Sequence, residues 1–298
     1  MEDILLDTDI GDDIDDAFAL ALIMSSPELN LLGVTTVYRN AAERRDIVKS
    51  VLDGYGRPDI PVYAGEDVPP ADEMRFFNYD VLERGKPLIR HFVTGMKRYP
   101  ADKTDAAEFI ASQLNSRPGE ITVMAIGPLT NLARAERLYP GTLSNAKKIV
   151  FMGGQLVGEY REWNIKCDVE SAREVFAGGA RIVMVTRDVT VKCILGAGDV
   201  ERVRENCGAH PFLYDMLRVW FADKDYRCAL AMHDALAVSM LLGDFCKTQN
   251  VSVRILTDGK MRGVTLACEG GTVTATVDVA AASFVEWLLR RLEGYAKE

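Results

Sequence analysis

The chain has 298 residues and a formal net charge of −9, with 48% hydrophobic and 27% charged residues. This composition is typical of a soluble globular protein, and a chain of this length can bury a full core without disulfides. The acidic charge and the lack of a basic stripe argue against a nucleic-acid partner, because binding to phosphate backbones depends on clustered Lys and Arg.

No sequence signal indicates a membrane or an export route. No apolar run is long enough to span a bilayer, and the acidic N-terminus leads directly into a predicted strand without a signal peptide. The six cysteines are scattered and lack zinc-like spacing. We therefore expect a cytoplasmic protein with reduced thiols.

The first predicted elements form a strand, an acidic turn and a helix. An apolar run at residues 4–6 leads into six aspartates within residues 7–16, and a helical apolar pattern follows at residues 17–22. The carboxylates should lie at the C-terminal end of a buried strand, where open α/β sheets have their ligand crevices. Oxygen ligands favour a hard cation, Ca²⁺ or Mg²⁺. The alternative is a solvated acidic turn that caps the helix.

Strand and helix signals then alternate, which indicates βαβ units and a mostly parallel sheet. Strands are predicted at residues 31–38, 61–65, 121–127, 147–154 and 181–185, and helices at 41–52 and 129–138. From Val251 the pattern changes to an antiparallel meander, closed by a helix at residues 280–292. The sequence predicts a single α/β domain over residues 1–298, with an open sheet, flanking helices and a small C-terminal antiparallel region.

Two segments are candidates for covering a site. Residues 66–100 interrupt the alternation, and we predict a lid there because long loops in compact domains are often functional. Trp220 and Tyr226 precede His233 and are candidates for a base pocket, although core packing explains them equally well.

Three later motifs contain polar residues at element ends. His233-Asp234 begins an apolar helix, and Glu162-Trp163-Asn164 follows a Gly-Gly turn. Gly127-Pro128 joins a strand to a helix. Each has a structural explanation: Asp is a common helix cap, Pro is favoured at the first helical position, and the Glu162 segment reads equally well as a plain polar loop.

Taken in order, these motifs resemble the inosine–uridine-preferring nucleoside hydrolase family. The resemblance extends over nearly the whole chain and is carried by Asp7-Thr8-Asp9-Ile10-Gly11, Asp15-Asp16-Ala17, Val34-Thr35-Thr36-Val37, Asn40, Ile126-Gly127-Pro128-Leu129-Thr130-Asn131, Met152-Gly153-Gly154, Glu162-Trp163-Asn164, His233-Asp234 and Arg262-Gly263-Val264-Thr265. It implies Ca²⁺-dependent hydrolysis of the N-glycosidic bond of ribonucleosides on an open α/β fold, by a homodimer or homotetramer.

The resemblance also implies roles for particular residues. The Ca²⁺ ligands would be Asp9, Asp16, Asp234 and the backbone carbonyl of Ile126, with Asp9 also acting as the general base. Asp15, Asn164 and Asp234 would bind the 2′- and 3′-hydroxyls of the ribose. Asn40 would bind the sugar, Glu162 would bind the 5′-hydroxyl, and His233 would be the acid at the nucleobase.

The acidic turn is longer than the commonest family form, with Ile10 where Pro is usual. We align Asp15-Asp16 with the family's final Asp pair because Ala17 and the helix follow directly; Asp12-Asp13 is the alternative. Residues 155–161 lack the asparagine that some members use at the 5′-hydroxyl.

The sequence is also compatible with two other functions. One is a family member that binds ribosides without cleaving them. The other is a haloacid-dehalogenase-type Mg²⁺ phosphatase, which Asp7-Thr8-Asp9 resembles in part, although Ile10-Gly11 does not fit that motif. The preferred nucleobase is not indicated by the sequence.

Overall fold

The computed structural model describes residues 1–69, 82–83, 86–87, 89–222 and 230–295. The strands are β1 (Glu2–Thr8), β2 (Leu29–Thr36), β3 (Val62–Ala64), β4 (Leu82–Glu83), β5 (Lys86–Pro87), β6 (Thr122–Ala125), β7 (Lys148–Met152), β8 (Ile182–Val185), β9 (Cys246–Ile255), β10 (Thr265–Glu269) and β11 (Val273–Val279). The helices are α1 (Asp15–Met24), α2 (Ala41–Gly54), α3 (Ala106–Ser116), α4 (Thr130–Leu138), α5 (Trp163–Cys167), α6 (Val169–Ala177), α7 (Arg187–Thr190), α8 (Ala197–Asn206), α9 (Leu213–Ala222), α10 (His233–Ser239) and α11 (Ala281–Glu293).

Nine of these strands form one mixed sheet in the order β10-β9-β11-β8-β7-β6-β1-β2-β3. The strands from β8 to β3 are parallel to their neighbours, and β11 is parallel to β8. The chain builds outward from β1 through β2 to β3, and then from β6 in the opposite direction. The order therefore reverses between β1 and β6, and a ligand crevice is expected at the carboxyl ends of these two strands.

The central strand β1 is apolar on both faces because helices cover both sides of the sheet. Ile4 and Leu6 pack into the core layer that contains α1 and α10, whereas Leu5 packs into the opposite layer with α3 and α4. A continuous apolar run is the pattern expected of a parallel strand buried on both faces. The predicted fold class is confirmed.

Two details of the predicted fold were wrong. The strand predicted over residues 31–38 ends at Thr36, because Tyr38 has φ 68° and turns the chain away from the sheet. The three C-terminal strands do not form a meander, because β9 lies between β10 and β11. Ala275 and Thr276 of β11 are buried, which suits the interior position of β11 beside β8.

Some predictions lie outside the described residues. These are Pro70, Phe76 and Phe77 of the predicted lid, and Tyr226. Within the described part of the chain, no helix has the length and apolar character needed to cross a bilayer.

Candidate active site

Three buried carboxylates from distant parts of the sequence meet at the start of two packed helices. Asp15 and Asp16 occupy the first turn of α1, and Asp234 occupies the first turn of α10. One carboxylate oxygen of each lies within 4.8 Å of the other two, and all three residues are at most 4% exposed. The backbone N–H of Asp234 donates to Asp15 Oδ2 at 3.3 Å, and the Thr8 hydroxyl donates to Asp16 Oδ1.

The carboxylates of this cluster perturb one another strongly. Burial raises the pKa of Asp15, Asp16 and Asp234 well above the usual range, and the charges of neighbouring aspartates raise these pKa values further. Burial also raises the pKa of Asp9 to about 7, although the Arg44 guanidinium opposes the shift. The charge of Asp9 contributes to the raised pKa of Asp16 and of Asp234, so Asp9 faces the cluster.

Asp12 and Asp13 have different partners. The Arg44 guanidinium binds Asp12 Oδ2 at 2.6 Å. Asp13 Oδ1 accepts hydrogen bonds from the Ile14 N–H at 2.7 Å and from the indole N–H of Trp220 at 3.0 Å. Trp220 is 4% exposed and belongs to the core, which fits the core-packing explanation for this residue.

The end of β6 approaches the acidic turn closely. A Cβ added to Gly127 would lie 2.9 Å from the Asp9 nitrogen and 3.0 Å from Asp9 Oδ1, so this position requires glycine. The preceding carbonyl, that of Ile126, accepts a hydrogen bond from Asn164 Nδ2 at 3.0 Å. Asn164 Nδ2 also donates to the Met152 carbonyl at 3.0 Å. The structure thus places Ile126 and Asn164 together beside Asp9.

Glu162 serves as the N-cap of the short helix α5. Its Oε1 accepts the N–H of Asn164 at 2.9 Å, and its Oε2 accepts the N–H groups of Gly154 at 3.0 Å and Ile165 at 3.1 Å. Burial raises the pKa of Glu162, while these backbone donors oppose the shift. The side chain is 4% exposed, and its charge also raises the pKa of Asp9. The carboxylate therefore holds the Gly154 turn against α5 near the acidic cluster.

Asn40 lies in the loop next to the acidic turn, at the start of α2. The Val37 N–H donates to the Thr8 carbonyl at 3.1 Å, which joins the two loops. Asn40 has left-handed backbone angles (φ 61°, ψ 47°), and its Nδ2 donates to Glu43 Oε2 at 2.8 Å.

His233 precedes Asp234 in the first turn of α10. Its Nδ1 lies 2.6 Å from the hydroxyl of Thr190 in α7. Burial lowers the pKa of His233 to about 4, and the positive charge of Arg187 lowers it further. The low pKa indicates a neutral imidazole near pH 7, and the role of His233 at the nucleobase stays a prediction.

The family model described as "Inosine-uridine preferring nucleoside hydrolase" matches residues 4–286. The chain belongs to that family. This nucleoside hydrolase is 32% identical over 293 residues to uridine nucleosidase 1 of Arabidopsis thaliana, across 90% of this chain and 82% of the relative. Its alignment with the pyrimidine-specific ribonucleoside hydrolase RihB of Escherichia coli (strain SE11) spans 321 positions at 29% identity and covers 99% of this chain and 98% of the relative.

Solved structures of nucleoside hydrolases have the same fold. A plant nucleoside hydrolase, PpNRh1, superposes with a TM-score of 0.85 at 25% identity, across 98% of this chain and 99% of the other. A purine-preferring ribonucleoside hydrolase from Gardnerella vaginalis also has a TM-score of 0.85 at 25% identity, across 99% of both chains. The resemblance and the enzyme class predicted from the sequence are confirmed, and the phosphatase alternative is not supported.

Sequence reasoning missed several residues that contact the predicted site. Thr8 bonds Asp16, Thr190 bonds His233, and Arg44 bonds Asp12 and the acidic turn. Thr8 lies within the motif Asp7-Thr8-Asp9, so the sequence does place its hydroxyl at the end of the first strand. Nothing in the sequence pattern places Thr190 or Arg44 at the site, because their contacts come from tertiary packing.

Proposed function

We propose that this nucleoside hydrolase cleaves the N-glycosidic bond of ribonucleosides, releases ribose and a free nucleobase, and requires Ca²⁺. The observation that carries the proposal is the convergence of Asp15, Asp16 and Asp234 beside Asp9. Buried carboxylates at such short separations repel one another strongly. A divalent cation offsets that repulsion, and an oxygen-only ligand set suits a hard ion.

In this proposal, Asp9, Asp16, Asp234 and the carbonyl of Ile126 hold the ion. The Ile126 carbonyl already accepts one hydrogen bond from Asn164, but a carbonyl oxygen has two lone pairs and can serve a second partner. When bound, Ca²⁺ supplies positive charge that lowers the pKa of a neighbouring water and orients the ribose hydroxyls.

The polar groups around the cluster are proposed to bind the ribose. Asp15, Asp234 and Asn164 accept or donate hydrogen bonds at the 2′- and 3′-hydroxyls, and Asn40 binds the sugar from the adjoining loop. Glu162 is proposed to accept a hydrogen bond from the 5′-hydroxyl in addition to its backbone donors.

The reaction requires a nucleophile and a leaving group. The water oxygen bonds to C1′ of the ribose while Asp9 takes a proton from it, and the C1′–N bond breaks with its electron pair passing to the nucleobase. The sugar carries positive charge in this transition state, and the surrounding carboxylates stabilise it. His233 is proposed to donate a hydrogen bond from Nε2 to the departing nucleobase, with the Thr190 hydroxyl donating to Nδ1, and the released base takes its proton from solvent.

The remaining expectations are also proposals. They are a single domain over residues 1–298, a homodimer or homotetramer, a cytoplasmic location and a role in nucleoside salvage. The relatives named above include uridine-directed, pyrimidine-specific and purine-preferring enzymes, so the base preference needs measurement.

A nucleoside panel tests the proposal. The enzyme is incubated with inosine, guanosine, adenosine, uridine and cytidine in the presence of Ca²⁺, and free ribose is measured by a reducing-sugar assay. We expect ribose release from at least one nucleoside and none from the Asp9→Asn variant. Binding of nucleosides by calorimetry without any ribose release would contradict the proposal and favour a non-catalytic riboside-binding protein.

A further inference from the structure

A fully buried arginine holds the acidic turn from behind. Arg44, in the first turns of α2, has a side chain that is 0% exposed. Its Nη1 donates to the carbonyl of Asp9 and, at 3.0 Å, to that of Ile10. Its Nη2 binds the Asp12 carboxylate at 2.6 Å. One side chain thus contacts three residues of the turn that carries Asp9.

The same guanidinium holds the neighbouring loop. Arg44 Nε donates to the Tyr38 carbonyl at 2.7 Å and to the Arg39 carbonyl at 3.2 Å. Tyr38, Arg39 and Asn40 have positive φ angles of 68°, 40° and 61°. Non-glycine residues adopt such angles at a cost of roughly 1–2 kcal/mol each, and the surrounding structure must hold them there. The two hydrogen bonds from Arg44 Nε to the Tyr38 and Arg39 carbonyls help to keep the loop in this conformation.

The geometry suits arginine specifically. The planar guanidinium has five N–H donors in a fixed fork, so it can bond carbonyls of two loops at once, whereas a lysine ammonium is a compact point donor. A buried cation is tolerated only when its donors are satisfied, and Arg44 meets that condition with four carbonyls and one carboxylate.

We infer that Arg44 is a positioning residue of this hydrolase: by bonding the carbonyls of both loops, it fixes Asp9 relative to Asn40. The inference rests on the roles proposed above for these two residues. Asp12 is the counter-ion of Arg44. Loss of the fork frees the two loops to move apart, and a shift of about 1 Å at a reacting group can reduce the rate up to about 100-fold.

The next residue provides a matched control. Arg45 is also buried, and it also binds a carboxylate at 2.6 Å, that of Asp46. Its Nη2 donates to the Tyr99 carbonyl at 3.0 Å. Because these partners lie away from the acidic turn, removing Arg45 leaves a similar defect in the same helix without touching either loop.

The experiment compares Arg44→Lys, Arg44→Met and Arg45→Met in the full chain. The melting temperature, the dissociation constant for Ca²⁺ by calorimetry, and kcat and KM for the best nucleoside of the panel are measured well below the lowest melting temperature. We expect both Arg44 variants to lose about tenfold or more in kcat and to bind Ca²⁺ more weakly. Arg45→Met should lower the melting temperature while its kcat and Ca²⁺ affinity stay at the wild-type values.

Three results would overturn the inference. The first is wild-type kcat and Ca²⁺ affinity in Arg44→Lys, which preserves the charge and removes the fork. The second is an equal loss of kcat in Arg45→Met. The third is a loss of activity in Asp12→Asn, because this change preserves all four carbonyl bonds and a loss would assign the effect to the ion pair. Asp12→Asn is also the variant to measure if the Arg44 variants do not fold.

Asp9→Asn separates this inference from the proposed function. If Asp9→Asn remains active, the proposed role of Asp9 is wrong. If Asp9→Asn is inactive and Arg44→Lys behaves as the wild type, only the positioning role of Arg44 is wrong.

Discussion

The hydroxyl of Thr190 lies 2.6 Å from Nδ1 of His233 and joins α7 to the first turn of α10. This contact fixes the plane of the imidazole ring beside Asp234. With the hydroxyl as donor, the ring proton is on Nε2, which is the tautomer that can donate to a departing nucleobase. Since burial keeps the imidazole neutral near pH 7, its ability to donate a hydrogen bond to the nucleobase depends on this tautomer and not on a positive charge.

We predict that His233→Ala loses about 10²–10⁴ in kcat on natural nucleosides and little on p-nitrophenyl riboside. A nucleobase needs a proton or hydrogen bond as it departs, whereas p-nitrophenolate leaves readily. Thr190→Val should show a smaller loss with the same dependence on the substrate. Steady-state kinetics on both substrates measures the ratio.

Thr186→Val is the matched control for Thr190→Val. The Thr186 hydroxyl is buried as well, but it donates to the Thr276 carbonyl of β11 at 2.9 Å. Its removal should leave the ratio of the two activities unchanged. Equal losses on both substrates in His233→Ala would assign His233 a structural role.

We predict that exhaustive chelation abolishes activity, that Ca²⁺ restores it, and that Asp16→Asn and Asp234→Asn bind Ca²⁺ poorly. A ligand that binds only the folded state stabilises it by about 2.7 kcal/mol at 100 times its dissociation constant, so the melting temperature should rise with Ca²⁺. Calorimetry and thermal unfolding measure both effects. Asp13→Asn is the control: Asp13 Oδ1 accepts a hydrogen bond from Trp220, and the variant should keep its Ca²⁺ binding. If Asp13→Asn loses as much Ca²⁺ binding as Asp16→Asn, the alignment of Asp15-Asp16 with the family's final Asp pair is wrong.

Sequence patterns placed the central parts of the site because those parts depend on local structure. The apolar run before Asp9 predicted a buried strand, and the helical pattern after Asp16 predicted α1. Parallel strands align their carboxyl ends, so residues that follow β1 and β6 were expected in one crevice. The grouping of Asp234 with the acidic turn was implied only by the family resemblance, because a helix that begins at His233 does not by itself indicate which helix it packs against.

Other parts depend on tertiary packing and could not be predicted. Residues 43–46 read Glu-Arg-Arg-Asp, the pattern of a solvent-exposed helix face, yet all four are at most 4% exposed. The left-handed angle of Tyr38 is rare for a bulky residue, so the pattern favoured a strand that continued to Tyr38. The neutral state of His233 follows from burial, which no local pattern reports.

We predict that Glu162→Gln lowers both stability and discrimination at the 5′-hydroxyl. Each charged hydrogen bond contributes about 1.5–3 kcal/mol, against about 0.5–1.5 for a neutral one, so the weaker cap of α5 should lower the free energy of unfolding by about 1–2 kcal/mol. Loss of the charged acceptor should also narrow the difference in kcat/KM between inosine and 5′-deoxyinosine. Urea unfolding and kinetics on both substrates measure the two effects. A destabilised variant with an unchanged substrate ratio would restrict Glu162 to capping.

His91 is a buried titratable group on the far side of the acidic turn. It is 0% exposed, its backbone N–H donates to the Gly11 carbonyl at 3.0 Å, and neither ring nitrogen has a hydrogen-bond partner within the part of the chain that the structure describes. Burial lowers the pKa of His91 from 6.5 to about 4; Asp12 opposes the shift, and the cations Arg44 and Arg90 add to it.

We predict that His91 makes the protein less stable in mild acid. Because the folded-state pKa is lower than the unfolded value, the unfolded chain binds more protons between pH 6.5 and pH 4. The contribution of neutral His91 to the free energy of unfolding is therefore fully present above pH 6.5 and is lost as the pH falls from 6.5 to 4. The total loss is about 3 kcal/mol, at 1.36 kcal/mol per pKa unit. His91→Phe preserves a ring and removes the titration, so its free energy of unfolding, measured in urea at pH 7.5 and pH 4.5, should fall less than that of the wild type. The carboxylates of the cluster titrate equally in both proteins and cancel in this comparison. An identical pH dependence in the two proteins would mean that His91 gains a partner for its protonated ring on acidification.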